Sequence, residues 1–274
     1  MEPFQAIILG IIQGLAEFFP VSSSGHLVIF QHLFGLTQPV VLFDVTVHMG
    51  TLAAIVLYFY KDIINIVTAA CSFLAAFVTG KVTFSEGVKD ADVKMAFLII
   101  AGTIPTAIIG LGINHFSETL FMSLVVVGAA LLATALLLIG TRWIKKNESG
   151  EANFSFKTAL GIGVMQGIAV IPGLSRSGIT IAMGLLMGLD RETAARYSFL
   201  LSVPAIIGAL ILSLVTETTG AQLPLHIFVF ALGTSFVVGY GALALLVKIV
   251  DKGHLYYFAP YCALVGIMAL VAGM

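Results

Sequence analysis

The 274 residues predict an all-α polytopic membrane protein with six transmembrane helices and two re-entrant helical hairpins in an inverted repeat. Three observations predict it. Hydrophobic residues make up 59% of the chain and charged residues 10%, with a mean hydropathy of +1.08, too little polar surface to close a soluble globule. Apolar runs recur near the roughly 20 residues that a hydrocarbon core demands. Two further apolar stretches are each broken near the middle by Pro, Gly and hydroxyl residues, so neither half is long enough to cross.

In chain order, residues 3–34 are the first broken stretch and read as a re-entrant hairpin, since irregular backbone at membrane depth survives only where protein or a water-filled cavity covers it. Residues 40–60 form the first span. Residues 62–80, between Lys61 and Lys81, read as a short hairpin or an interfacial helix and are not counted as a span. Spans at 92–111 and 119–140 follow, then the second broken hairpin at 157–187, then spans at 191–214, 226–248 and 255–273. The start, Met1-Glu2-Pro3, lacks the basic region of a signal peptide, so the first apolar stretch is expected in the mature chain. A net charge of -1 points away from nucleic acid. Cys71 and Cys262 lie in apolar segments without metal-ligand spacing and read as small buried hydrophobes.

Threading these spans in alternation places eleven Lys and Arg residues, from Lys61 to Lys252, on one side, with Arg196 just inside the fourth span; the connections on the other side, near 36–39, 112–118 and 215–225, carry none. By the positive-inside rule the basic side is cytoplasmic and both termini are external. One base of the thirteen is left over, Arg176.

Arg176 lies in the second hairpin, and the hairpins resemble each other. "IIQGLAEFFPVSSSGH" at 11–26 aligns with "VMQGIAVIPGLSRSGI" at 164–179, matching Gln13-Gly14 to Gln166-Gly167 and Gly25 to Gly178. Such similarity at membrane breaks marks a duplicated fold: one membrane domain, 1–274, with inverted repeats at about 1–150 and 151–274, whose tips meet near the midplane. One tip offers Glu17, Ser22, Ser23, Ser24 and His26; the other offers Ser175, Arg176, Ser177 and Thr180, with Gly173 and Gly178 freeing the backbone. Helix starts aim N–H groups and positive dipole ends into the cavity, and a guanidinium adds a fork of donors, which together suit a phosphate. The bland readings are that the hydroxyls bond back to their own helices or glue neighbouring ones, and that Glu17 and Arg176 pair with each other.

"QGLAEFFPVSSSGH" and "PGLSRSGIT", with "FDVTVHMGTLAA" at 43–54, resemble the signature stretches of the undecaprenyl-diphosphatase family, the bacitracin-resistance type of membrane lipid phosphatase. The likeness covers nearly the whole chain, although Ala16 stands where many members have Thr. It implies hydrolysis of undecaprenyl diphosphate, a polyisoprenoid diphosphate, to undecaprenyl phosphate and inorganic phosphate in the bacterial inner membrane. Under it Gln13 and Glu17 open the first motif. Ser22, Ser24, Ser175, Arg176, Ser177, Thr180 and Gln13 bind the substrate, and Glu17, Ser23, His26 and Arg176 are catalytic. Ser23 or a water attacks; His26 is its base or the acid for the leaving phosphate; Glu17 orients His26 or holds a divalent cation, Mg²⁺ or Ca²⁺. Asp44 and His48, at i and i+4, read as a second shell for the metal or as a capping and interhelical pair. His32, His115, His226 and His254 receive no role. Membrane lipids surround the protein, and a homodimer is left open. The rival reading is a secondary transporter or flippase for a lipid phosphate or other anion, for which broken helices meeting at midplane are equally apt.

The threading has a direct check. In a cysteine-free background in intact cells, an impermeant thiol reagent should modify cysteines placed at His115 and Gly220 and spare those at Glu86 and Glu148; the reverse pattern would sink the topology.

Overall fold

The computed structural model describes residues 2–34, 41–114, 123–144, 154–217 and 223–273. Every element among them is helical. The first hairpin pairs α1 (Pro3–Phe18) with α2 (Ser23–Leu33). Proline in the first turn and a capping box start α1, the Glu2 N–H donating to Gln5 Oε1 at 2.8 Å. The break follows at Pro20. The chain then turns back, so that Leu27 of α2 packs with Ala6 and Leu9 of α1.

Next come α3 (Val41–Tyr58), α4 (Tyr60–Val78), the single turn α5 (Phe84–Gly87), α6 (Ala91–Asn114) and α7 (Leu124–Gly140). The second hairpin is α8 (Phe156–Ile168) and α9 (Arg176–Leu186), followed by α10 (Arg191–Glu217), α11 (Leu225–Asp251) and α12 (Ala259–Gly273). Short 3₁₀ segments, Thr141–Trp143 and Leu255–Phe258, follow α7 and precede α12.

Six described helices are long and apolar enough to cross a bilayer: those at 60–78, 91–113, 124–143, 191–213, 225–251 and 255–273. Five coincide with expected spans. The sixth, one unbroken helix from Tyr60 to Val78, excludes the short hairpin at 62–80 and leaves the interfacial helix of the two readings. Conversely the span expected at 40–60 is the 18-residue α3, whose apolar part is shorter than the others. The expected start of the third span, at 119–122, lies outside the described residues. Cys262 is buried as expected, but Cys71, on α4, is exposed.

Small residues set the packing, because lipid-embedded helices gain from close backbone approach. α1 runs parallel to α11, with Gly10 on Ala231 and Gly14 on Ser235 and Gly239. α8 runs parallel to α6, with Gly163 against the Gly102 backbone and Gly167 against Pro105 and Ile109. α7 and α12 are antiparallel, Gly128 lying on Gly266 and Leu270. The ends are fixed by polar contacts: Arg191 Nη1 donates to Asp251 O at 3.1 Å, Arg142 lies over the Tyr256 ring, and Tyr197 OH donates to Leu98 O at 2.7 Å. The start of α10, the ends of α7 and α11 and the start of α6 therefore share one end of the bundle, which carries the bases.

The two hairpins consequently enter from opposite ends, α1 with the start of α11 and α8 with the start of α6. Both breaks stop near mid-bundle: Phe18 reaches Gly239, halfway along α11, and the Gly173 carbonyl accepts from Thr134 of α7 at 3.2 Å.

Gly163 has no room for a larger side chain, since a Cβ there would strike the backbone of Gly102. Gly163→Val should lower the melting temperature in detergent by about 3–10 °C, from an overpacking cost of about 1–3 kcal/mol. Gly208→Ala, where a Cβ would meet nothing within 4 Å, should leave it unchanged.

Candidate active site

The break in α1–α2 puts Ser22 in the left-handed region, with φ 71, a conformation that costs a non-glycine residue free energy and persists only when its surroundings enforce it. They do so here. The Ser22 hydroxyl oxygen accepts from the N–H groups of Gly25, at 3.2 Å, and of Gly173 in the other hairpin, at 3.1 Å. Gly173, at φ 95, lies so close to Val127 and Ala130 that no Cβ fits, and its Cα faces Gly25. In return Ser177 of the second hairpin donates to the Phe18 carbonyl at 2.8 Å, and Cys262 Sγ donates to the Pro20 carbonyl at 3.2 Å.

With the turns interlocked, the start of α9 faces the end of α1. Arg176 Nη2 donates to Glu17 Oε1. The other carboxylate oxygen, Oε2, accepts from Ser23 Oγ at 2.6 Å and from Gln13 Nε2 at 3.0 Å, and His48 Nε2 lies 3.8 Å from it. Glu17 and Gln13 are buried, whereas the side chains of Arg176 and His48 keep 18% and 30% exposure, so the cluster is open on their side. One acid thus gathers a hydroxyl, a guanidinium, an amide and an imidazole.

The remaining expected site residues sort into two groups. Ser23, Arg176, Glu17 and Gln13 are brought together; Ser24 is partly exposed, with its hydroxyl 3.4 Å from that of Ser22. Ser175 caps α9 by accepting from the Gly178 N–H at 3.2 Å; Thr180 donates to the Arg176 carbonyl at 2.8 Å and bonds Ser198. With Ser22 and Ser177 they serve the backbone of the two tips. The bland reading of those hydroxyls, and of a direct Glu17–Arg176 pair, is what the geometry displays.

His26 is engaged elsewhere. Its Nδ1 lies 2.8 Å from the Ser22 carbonyl, which can only accept, so Nδ1 carries the proton and Nε2 accepts from Tyr261 OH at 2.7 Å. The rings stack, with centroids 5.6 Å apart. Ser23 therefore donates its hydrogen bond to Glu17 and not to His26. His48 reaches the cluster directly, its Nδ1–H held by the Asp44 carbonyl at 2.7 Å, while the Asp44 carboxylate accepts from Gln31 at 2.8 Å. Tyr261 and Thr134 carry no signal in the sequence: each is a single polar residue on an apolar helix.

The family described as bacitracin resistance protein BacA matches residues 6–268. The chain belongs to that family. Similar full-length relatives include proteins named undecaprenyl-diphosphatase from Desulfosudis oleivorans, 51% identical with all of both chains covered, and from Desulforapulum autotrophicum, 50% identical over 100% of this chain and 99% of that one. Another of the same name, from Methanosphaera stadtmanae, is 40% identical over 99% and 98%. The family match contains both interlocked hairpins and the helices that hold them.

Thr134 shows how much the second turn depends on one hydroxyl, which donates toward Gly173 O and accepts from the Ser175 N–H at 3.1 Å. Thr134→Val keeps the shape and strands both groups in a buried place, at about 1–3 kcal/mol. Thermal unfolding should come earlier, by about 3–10 °C, and Thr134→Ser should restore most of the loss.

Proposed function

We propose that the protein is an undecaprenyl-diphosphatase of the inner membrane, hydrolysing undecaprenyl diphosphate to undecaprenyl phosphate and inorganic phosphate and so returning the lipid carrier of cell-wall synthesis. The observation that carries the assignment is one buried carboxylate, Glu17, bonded at once to a serine hydroxyl and to a guanidinium at the junction of two broken hairpins. The names of the relatives support the substrate. The gathering of bases at one end supports a cytoplasmic basic end and external termini.

Phosphoanhydride cleavage needs charge neutralisation, an oriented nucleophile and a proton acceptor. Arg176 at the start of α9, with the N–H groups there, neutralises the diphosphate; its fork exchanges Glu17 for phosphate oxygens. The Ser23 proton goes to Glu17 Oε2. Ser23 Oγ then forms a bond to the terminal phosphorus as the bond to the bridging oxygen breaks, releasing undecaprenyl phosphate. Glu17 passes that proton to the departing phosphate oxygen and is a carboxylate again. Water then gives its proton to Glu17 and splits the phosphoserine; Ser23 Oγ takes the proton back as its bond to phosphorus breaks, and inorganic phosphate is released. In the shorter route, water on Glu17 attacks phosphorus directly. His26 and Tyr261 fix the turn that presents Ser23, and Gln13 and His48 hold Glu17 in place.

A divalent cation is supported by one observation: Gln13 Oε1 is buried without a hydrogen-bond partner, on the amide whose Nε2 donates to Glu17. No group of three His, Cys, Asp or Glu side chains gathers among the described residues, so diphosphate oxygens would supply the rest of the shell. Mg²⁺ or Ca²⁺ bound there supplies further neutralisation of the phosphate charge.

Phosphate release by purified protein from a polyprenyl diphosphate tests this. Ser23→Ala should lower kcat by more than about a thousandfold with KM little changed. Arg176→Lys, which keeps charge but loses the planar fork, should lose at least about a hundredfold in kcat/KM. Chelation should abolish turnover and Mg²⁺ or Ca²⁺ restore it. A folded Ser23→Ala protein with near-normal turnover would leave the direct water route; full hydrolysis by every variant, with lipid movement across the bilayer lost, would establish the transporter instead.

A further inference from the structure

Length and apolarity admit α4 as a crossing helix. Its two ends contradict that. Its first end continues from α3, whose following residue, Phe59, stacks on Phe199 near the start of α10. Its far end leads through α5 to the start of α6, where Leu98 accepts from Tyr197, two residues from Phe199. A segment that leaves and rejoins the bundle at one level has not crossed it.

Contacts along α4 agree. Asp62 pairs with Arg196 at 2.7 Å, while Phe73 packs on Phe97 with centroids 5.7 Å apart. Arg196 and Phe97 flank the Tyr197–Leu98 bond, so they lie at nearly one depth. Yet Asp62 and Phe73 are about 16 Å apart along the axis of α4. The helix lies across α6 and α10, not along them.

Three stripes run along α4 at spacings of three and four residues, and a crossing helix has no use for the second. Asp62, Ile66, Ala69, Phe73 and Ala76 face the bundle and are buried or half-buried. Lys61, Asn65, Thr68 and Ser72, continuing to Thr79, are polar and exposed. Ile64, Val67, Cys71, Leu74 and Val78 are apolar and exposed, Leu74 at 60% and Val78 at 76%. A polar stripe through the middle of a lipid-exposed span would place Asn65 and Ser72 in hydrocarbon. A helix lying in the boundary plane gives each stripe its solvent: protein, water and acyl chains.

We infer that α4 is an interfacial helix, seated lengthwise in the headgroup region of the bilayer at the basic end of the bundle. Its partner is the lipid surface. Ile64, Val67, Leu74 and Val78 dip into the acyl boundary, and Lys61 and Lys81 flank the helix among the phosphates. α3, at the bundle's own packing positions, then takes the crossing that α4 vacates.

The test is a cysteine scan of α4 in a cysteine-free background, with an impermeant maleimide applied to inside-out and right-side-out vesicles. All positions are exposed, and each variant is first checked for an unaltered size-exclusion profile. Cysteines at Asn65, Thr68 and Ser72 should react from the basic-end side at least tenfold faster than those at Val67, Leu74 and Val78, with no reaction from the other side. Protection of all middle positions, with Lys61 and Lys81 replacements labelled from opposite sides, would make α4 a crossing helix. Equal, fast labelling at all six would put it in water, away from lipid. Either result overturns the inference.

Discussion

Two helix breaks in the middle of an apolar bundle leave backbone N–H and carbonyl groups that no water from the bilayer can serve, and the rest of the structure follows from how each break serves the other. Gly173 N–H goes to Ser22, Phe18 O takes Ser177, and Pro20 O takes Cys262. Once those bonds set the distance between tips, the end of α1 and the start of α9 have to face each other. Glu17 and Arg176 meet there, each the counter-charge that makes the other tolerable at that depth. The Glu17 cluster is thus a by-product of backbone satisfaction. Ser23 joins it because Ser22, held at positive φ, turns the next residue toward Glu17.

The scaffold around this junction is built for stillness. α1 lies on α11 and α8 on α6 through glycines that let backbones touch, and α7 and α12 close on each other in the same way. Such contacts tolerate little sliding, since even one methyl group would collide. A hydroxyl held 2.6 Å from a carboxylate gains from that rigidity, because orientation fixed beforehand does not have to be won during reaction.

Much of this was legible in the sequence for local reasons. Pro20 with three serines, and Pro172 with Gly173, announce breaks; Arg176 stands out as a base that topology does not explain; the glutamine-glycine pairs reveal the repeated pattern. What escaped is what depends on distance. Nothing local distinguishes Ser22 from Ser23, yet one serves a backbone and the other a carboxylate. His26, three residues from Ser23, looked like its base, but a tyrosine 235 residues away claims it. His48 was visible as an i+4 partner of Asp44, and only the packing of α3 on α1 turns it toward Glu17. Residues 62–80 were hard to classify because their average apolarity conceals three separate stripes.

The same interlocking has a cost in time. The carbonyl of Pro20 waits for a thiol 242 residues later, and Ser22 waits for an amide 151 residues later. At about 5–20 residues per second of synthesis, the first hairpin exists for roughly 8 to 50 s before its partners emerge. During that interval its turn lacks both of these partners, so it cannot settle at its final depth. The earliest element made is therefore among the last to reach its native place, and the nascent chain has to keep a slot open at its own beginning for a segment that has yet to be translated.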